Sequence, residues 1–369
     1  RICKFFMNYC EKICYAIYKA YEGSFEQMAR ELFTQLAEEN VFRLTFFGSP
    51  GNNKEYIEHR TFLQNCAREK FGNKRPVLSY IAQPPLEGRL VVEVCSCVPD
   101  ERDNIFYKTS GENAYVLLKN DDGRFLFSGG WQADLSTDIY AQSKEIFRQM
   151  KDVLDEEGFG IDSIVRQWNY IEQITAQESD GQQHYQMFNN ARSEFYSSTL
   201  WKDGYPIATG IGSTCGGVLV DFDAVMLQSD VCRITPIDNK LQVAAHAYSE
   251  NVLMSAGSCK TTPKFERAKS LTLADRRMVY ISGTAAIRGE ESLTGVGIER
   301  QFAITMENIS QLTGDARCCL LRVYLKYAHD YTTVKHLLSS MERSIAISYL
   351  ETDVCRNELL IEIEGIAIE

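Results

Sequence analysis

The strongest constraint on this chain is that it repeats itself three times. Three apolar segments each carry an acid among β-branched and aliphatic neighbours: Leu90-Val-Val-Glu-Val94, Val218-Leu-Val-Asp-Phe222 and Leu360-Ile-Glu-Ile-Glu364. Their acids, Glu93, Asp221 and Glu362, lie 128 and then 141 residues apart. Well upstream of each acid comes another strand-like run with an arginine in register: Arg43, Arg166 and Arg322. Self-similarity at such a period marks a chain assembled from copies of one supersecondary unit.

Helical patterning supports the repeat. Phe25, Met28, Leu32 and Leu36 share a face before the first arginine run. Ile146, Phe147, Met150, Val153 and Leu154 do so before the second, and Phe302, Thr305, Ile309 and Leu312 before the third. A second helix is expected after each run, for example over Tyr185 to Phe195 and Tyr331 to Met341. The last two units also open on a strand that ends in small residues, at Ser128 and Ser282. The first shows no such opening strand and reads as degenerate. Each unit is thus expected to run β-(β)-α-β-α-β-β, closing on a hairpin whose second strand bears the acid. With breaks near 106 and 250, the units are 1–106, 107–250 and 251–369.

Charge and cysteine usage narrow the functions. Fifty acids against 39 bases leave a net charge of −11, the wrong sign for gripping a phosphate backbone, and no basic run of five occurs. Nucleic acid is not the expected partner. No apolar run approaches the roughly 20 residues of a membrane helix, and Lys4, Glu11, Lys12 and Lys19 interrupt the greasy start. That start also lacks the pattern of a secretory signal, so a cytoplasmic location is expected, although the chain opens on Arg1 rather than Met. Twelve scattered cysteines fit reduced thiols. The five histidines form no metal-binding spacing, so neither a metal nor a cofactor is expected. Gly210-Ile-Gly212 leads into a strand rather than a helix, which disfavours nicotinamide binding.

The order of elements resembles the RidA/YjgF fold, whose members assemble as trimers with sites at subunit boundaries. Five stretches narrow the resemblance to the chorismatases: Ser79-Tyr-Ile-Ala-Gln-Pro-Pro-Leu86, Pro206-Ile-Ala-Thr-Gly-Ile-Gly212, Pro263-Lys-Phe-Glu-Arg-Ala268, Ile281-Ser-Gly-Thr-Ala-Ala286, and Asp353-Val-Cys-Arg356 followed by Leu-Leu-Ile-Glu362. They keep their order and span essentially the whole chain. The resemblance implies an α+β fold of three tandem RidA/YjgF-like (chorismate-mutase-like) units forming a covalent pseudo-trimer, monomeric because the trimer is already in one chain. It also implies cofactor-free hydrolysis of chorismate to pyruvate plus a hydroxybenzoate or a dihydroxy-cyclohexadiene carboxylate. The site is expected between the middle and C-terminal units.

Residue by residue, Glu362 matches the family's proton donor. An enol ether is activated by protonating its methylene carbon, and burial among Leu359, Leu360, Ile361 and Ile363 would keep a carboxyl protonated near neutrality. Without the resemblance, Glu362 reads as a solvent-facing strand glutamate. Cys355 matches a position that separates product classes, where cysteine accompanies the 3-hydroxybenzoate type; otherwise it is a small buried hydrophobe. Gly283, Thr284 and Ala285 lie in the second product-determining segment, and Ala285 with Ala286 leaves the product class open. Two substrate carboxylates call for guanidinium forks. Arg267 matches a carboxylate-binding arginine of the family and Tyr248 a family tyrosine. Tyr170 and Arg192 are candidates to close the cleft, or else a core aromatic and a surface arginine. Arg322 is a substrate-contact candidate whose recurrence as Arg43 and Arg166 points instead to a repeated structural role. Imine deaminases of the wider fold use an arginine where this chain has Ile347, which disfavours that reaction. Two other readings stand beside the enzyme: a catalytically inactive RidA-like module binding a small carboxylated metabolite, and a purely structural pseudo-trimer.

Overall fold

In the computed structural model, residues 7–179, 181–247, 261–340 and 345–369 are described. The chain builds three mixed sheets. The first contains β1 (Ile13–Ala20), β2 (Val41–Gly48), β3 (Val77–Ala82) and β4 (Leu90–Cys97), in the order β1-β4-β2-β3. The second contains β5 (Asn104–Ser110), β6 (Asn113–Lys119), β7 (Gly123–Trp131), β8 (Ile164–Glu172), β9 (Ile207–Ser213) and β10 (Val218–Leu227), in the order β5-β6-β7-β10-β8-β9. The third contains β11 (Cys232–Ile237), β12 (Ala268–Leu273), β13 (Arg276–Ala285), β16 (Arg317–Leu325), β17 (Ala346–Glu351) and β18 (Ile361–Ile368). Its order, β11-β12-β13-β18-β16-β17, repeats that of the second; a short ribbon of β14 (Ile287–Arg288) and β15 (Glu291–Ser292) projects from it.

Helices cover one face of each sheet. After a single turn, α1 (Tyr9–Lys12), come α2 (Phe25–Gln35) and α3 (Asn53–Phe71) on the first sheet, α4 (Ile139–Glu157) and α5 (His184–Tyr196) on the second, and α6 (Ile298–Thr313) and α7 (Tyr331–Ser339) on the third. Local chemistry sets their ends. Ser24 and Gln27 form a reciprocal capping box at α2, and the Asp138 side chain accepts the Ala141 amide at 2.7 Å to start α4. Gly158, at φ 67°, stops α4 in a left-handed conformation that costs glycine little. The helical stripes read from the sequence are buried, among them Met28 and Leu32, Met150 and Leu154, and Ile309 and Leu312.

Two expectations change. The last two strands of each unit are not a hairpin. β3, β9 and β17 run parallel to the arginine strands β2, β8 and β16, while β4, β10 and β18 pair antiparallel to those strands on their other side. The cause is the intervening helix, which carries the chain back to the start of the sheet and so makes the next strand parallel. The first unit does possess an opening strand: β1 pairs with β4 along its length, Ile17 opposite Glu93. Its mixed burial pattern hid it within the greasy start. Among the described residues, that unit shows no counterpart of β5-β6 or β11-β12.

The three sheets close a ring. Edge strand β3 lies against β7, β9 against β13, and β17 against β1. Three apolar cores lie between helices and their own sheets, while two more draw residues from all three units. Near the pseudo-threefold axis sits Trp168, with the guanidinium carbons of Arg166, Arg43 and Arg322 at 4.2, 4.8 and 5.4 Å from its ring centroid. Each of these arginines reaches an acid of another unit: Arg43 to Asp223 at 2.6 Å, Arg166 to Glu364 at 3.7 Å, and Arg322 to Glu93 at 2.7 Å.

Candidate active site at the boundary of the second and third units

Strand register makes Glu93, Asp221 and Glu362 equivalent, each two residues before the position opposite an arginine. Their surroundings differ. Glu93 is gripped by Arg322, which donates Nε and Nη2 to its two oxygens at 2.8 and 2.7 Å. One oxygen of Asp221 accepts Ser79 Oγ at 2.6 Å and the Gly130 amide at 2.7 Å. Among the described residues no hydrogen-bond donor engages the Glu362 carboxyl, and it faces a cavity. One ancestral pattern thus yields a paired acid, a capped acid and an open one.

The cavity encloses about 760 Å³ of empty space, its mouth included. The second unit supplies Tyr185, Gln186 and Asn189 from α5, with Ala208 and Gly210 from β9. The third supplies Phe265 and Arg267 before β12, Gly283 and Ala285 of β13, and Cys355, Arg356 and Leu359 ahead of Glu362. Two glycines are needed here. A Cβ at Gly283 would come within 2.8 Å of the Glu362 carboxyl carbon, and one at Gly210 within 2.8 Å of the Tyr185 ring. Buried amides hold the frame. Asn308 donates to Ala285 O and Ile287 O at 3.0 and 3.1 Å, and Gln301 accepts the Leu360 amide at 2.8 Å. Arg356 Nη1 reaches Glu290 O at 2.9 Å and Ser292 Oγ at 3.1 Å, tying the loop before β18 to the β14-β15 ribbon.

Burial dominates the electrostatics. Loss of solvent, then the nearby Glu364 charge, pushes the Glu362 carboxyl up to about 8, against the opposing pull of Arg267 and Arg356. Such a group holds its proton at neutral pH and can give it up as a general acid. Burial, then Glu362, pushes the Cys355 thiol up to about 12, so it is a neutral lining group rather than a thiolate nucleophile. A cavity with one protonated acid between two guanidinium groups suits an anionic substrate that must receive a proton.

Of the residues singled out in the sequence, Glu362, Cys355, Arg267, Gly283 and Ala285 meet in this cavity. Thr284 is buried next to them, its hydroxyl donating to Ser282 O at 2.9 Å. Arg192 is buried rather than on the surface and stands behind the lining, donating to Asn189 Oδ1 at 2.6 Å. Tyr170 and Arg322 lie elsewhere: Arg322 Nη1 donates to the Tyr170 hydroxyl at 2.6 Å inside the axial charge network. Neither residue lines the cavity. Both side chains, from β8 and β16, point inward to the axis, so the recurrence of the arginine reflects the ring and not the cleft. Tyr248 lies outside the described residues. Sequence reasoning missed Tyr185, Asn189 and Arg356. The first two share a helical face at i and i+4, a signal that also fits a core stripe.

Comparisons with known proteins follow the same lines. Residues 104–224 match the family described as "Chorismatase FkbO/Hyg5-like, N-terminal". The chain is 29% identical over 268 residues to 3-hydroxybenzoate synthase of Streptomyces hygroscopicus, covering 67% of this chain and 75% of that protein. It is 28% identical over 225 residues to a chorismatase of Streptomyces rapamycinicus, covering 56% of this chain and 64% of that one. A crystal structure of a chorismatase shares the fold, with a TM-score of 0.71 at 19% identity over 96% of this chain and 98% of the other.

Proposed function

Because this chain is related to the chorismatase FkbO/Hyg5 family, we propose that it converts chorismate to pyruvate and a cyclic carboxylate, with Glu362 as the general acid. The observation that carries this reading is the open, buried Glu362 carboxyl between Arg267 and Arg356. Glu362 delivers its proton to the methylene carbon of the enol ether. The C=C π pair forms the new C–H bond, and a lone pair of the ether oxygen stabilises the oxocarbenium ion left at the ether carbon, beside one substrate carboxylate. Water adds there, and the hemiketal collapses to pyruvate and the ring alcohol, consuming one water in all. If the ring instead loses its hydroxyl and becomes aromatic, the products are pyruvate and a hydroxybenzoate with no net water. Arg267 and Arg356 bind the two carboxylates, and Tyr185 with Asn189 walls the cleft opposite Glu362.

Cys355 lines the cavity, which supports the 3-hydroxybenzoate type, while Ala285 beside it is compatible with either product. Small groups at both places leave the ring room to be held dry while it aromatises. The deciding experiment incubates the purified chain with chorismate, assays pyruvate and identifies the aromatic product by mass. Release of pyruvate with 3-hydroxybenzoate is the expected result. Binding of chorismate without turnover would replace this reading with that of an inactive metabolite-binding module.

A further inference from the structure

Glu364 is the most heavily coordinated carboxylate of the axial network, yet it does not line the cavity. It is fully buried. Oε1 accepts Trp168 Nε1 at 3.1 Å, the Tyr324 hydroxyl at 2.9 Å and Arg322 Nη1 at 3.2 Å. Oε2 accepts the Thr209 hydroxyl and faces Arg166 Nη2 at 3.7 Å. The direction of the indole and guanidinium bonds is forced. Indole and guanidinium groups can only donate, and the Thr209 hydroxyl, which accepts the Gly283 amide at 3.1 Å, donates its proton to Glu364. Four donors and no acceptor describe an ionised carboxylate.

This fixed negative charge sits two residues from Glu362 on the same strand and therefore on the same face. Thr209 joins the two: its hydroxyl binds Glu364, while its methyl group flanks Gly283, whose missing side chain admits Glu362. The other charged or titratable groups around Glu362 are Arg267 before β12, Arg356 and Cys355 before β18, and Tyr185 of α5. Around Glu364 stand Arg322 and Tyr324 of β16, with Arg166 and Tyr170 of β8. Arg322 is shared with Glu93, so its charge is only partly available to offset Glu364.

We propose that Glu364 is a positioning residue for Glu362: its charge, locked in place by donors from the second and third units, keeps the neighbouring cavity carboxyl protonated. The pseudo-threefold charge ring thereby has a role beyond joining the units, since it sets the protonation state of the one open acid. This inference rests on the reading of Glu362 as a general acid.

The test compares the pH profile of kcat in wild type, Glu364→Gln and Glu364→Asp, alongside a ¹³C-carboxyl NMR titration without substrate. The Glu362 resonance is assigned by its loss in Glu362→Gln. In Glu364→Gln, the alkaline limb and the Glu362 titration should both move down by about one pH unit or more, because a like charge has gone. Activity relative to its own maximum should then fall about fivefold more at pH 8 than in wild type, while Glu364→Asp stays near wild type. An unmoved limb, or a loss equal at every pH, would overturn the proposal. Should Glu364→Gln not fold, a wild-type Glu362 resonance titrating in the ordinary carboxylate range would overturn it as well. A chain that releases no pyruvate from chorismate defeats the chorismatase reading but leaves the NMR arm able to judge the coupling of the two acids.

Discussion

A methyl group on Gly283 would press against the Glu362 carboxyl, so the smallest residue at the site and its proposed acid are one unit. Gly283→Ala is expected to displace the carboxyl by a fraction of an ångström to an ångström and lower kcat by roughly 10²-fold. Circular dichroism should stay native. Glu362→Gln keeps the shape but removes the proton, and kcat should fall by at least ~10²-fold with little change in KM. In heavy water the wild type should place deuterium in the pyruvate methyl group. Stability carries the same signature. A carboxyl raised from 4.5 to about 8 on folding holds a proton that the unfolded chain has lost between those values. Folding stability therefore declines as pH rises across that window, the opposite of an ion-paired carboxylate. Glu362→Gln should remove this contribution, so that its Tm relative to wild type is higher at pH 9 than at pH 4. An equal difference at both pH values would contradict the burial argument.

At the scale of elements, caps and crossovers shape the cleft. α4 begins where Asp138 accepts the Ala141 amide, and it packs its buried stripe between β10 and α5, which carries Tyr185 and Asn189. Asp138→Ala should cost about 1 kcal/mol, read as a lower denaturant midpoint with unchanged slope. Helical faces were legible in the sequence because a period of 3.6 needs only local spacing. Strand pairing was not. Leu360 to Glu364 looks like a hairpin arm from composition alone, but which strand it pairs with depends on where the preceding helix returns the chain. The opening strand β1 escaped notice because it is buried only at its two ends and partly or fully exposed between them, so no alternation marks it.

Across the whole molecule, three arginines gathered around Trp168 join the units through charges that none of them could bury alone. Removing one partner of a buried pair is costly because the other charge stays behind without compensation. Arg322→Ala strips both Glu93 and Glu364 of a guanidinium and should destabilise the fold by about 3–5 kcal/mol. Calorimetry should show that loss as a drop of one shared transition rather than of the third unit alone. Separate melting of the units would contradict a ring whose cores draw on all three.

The sequence by itself determined the repeat, the helical faces, the equivalence of Glu93, Asp221 and Glu362, and the recurrence of the arginines. All of these follow from residue type and spacing along the chain. Only the tertiary structure decided which acid is open, because that depends on what a neighbouring unit brings to it. Ser79 caps Asp221, Arg322 grips Glu93, and at the remaining boundary Gly283 and Gly210 leave space before Glu362. It also sorted the arginines into the axial ring and the cleft, as Arg322 and Arg267 show. Such choices rest on contacts between residues far apart in the chain, 142 positions for Ser79 and Asp221 and 229 for Arg322 and Glu93, and no local pattern encodes them.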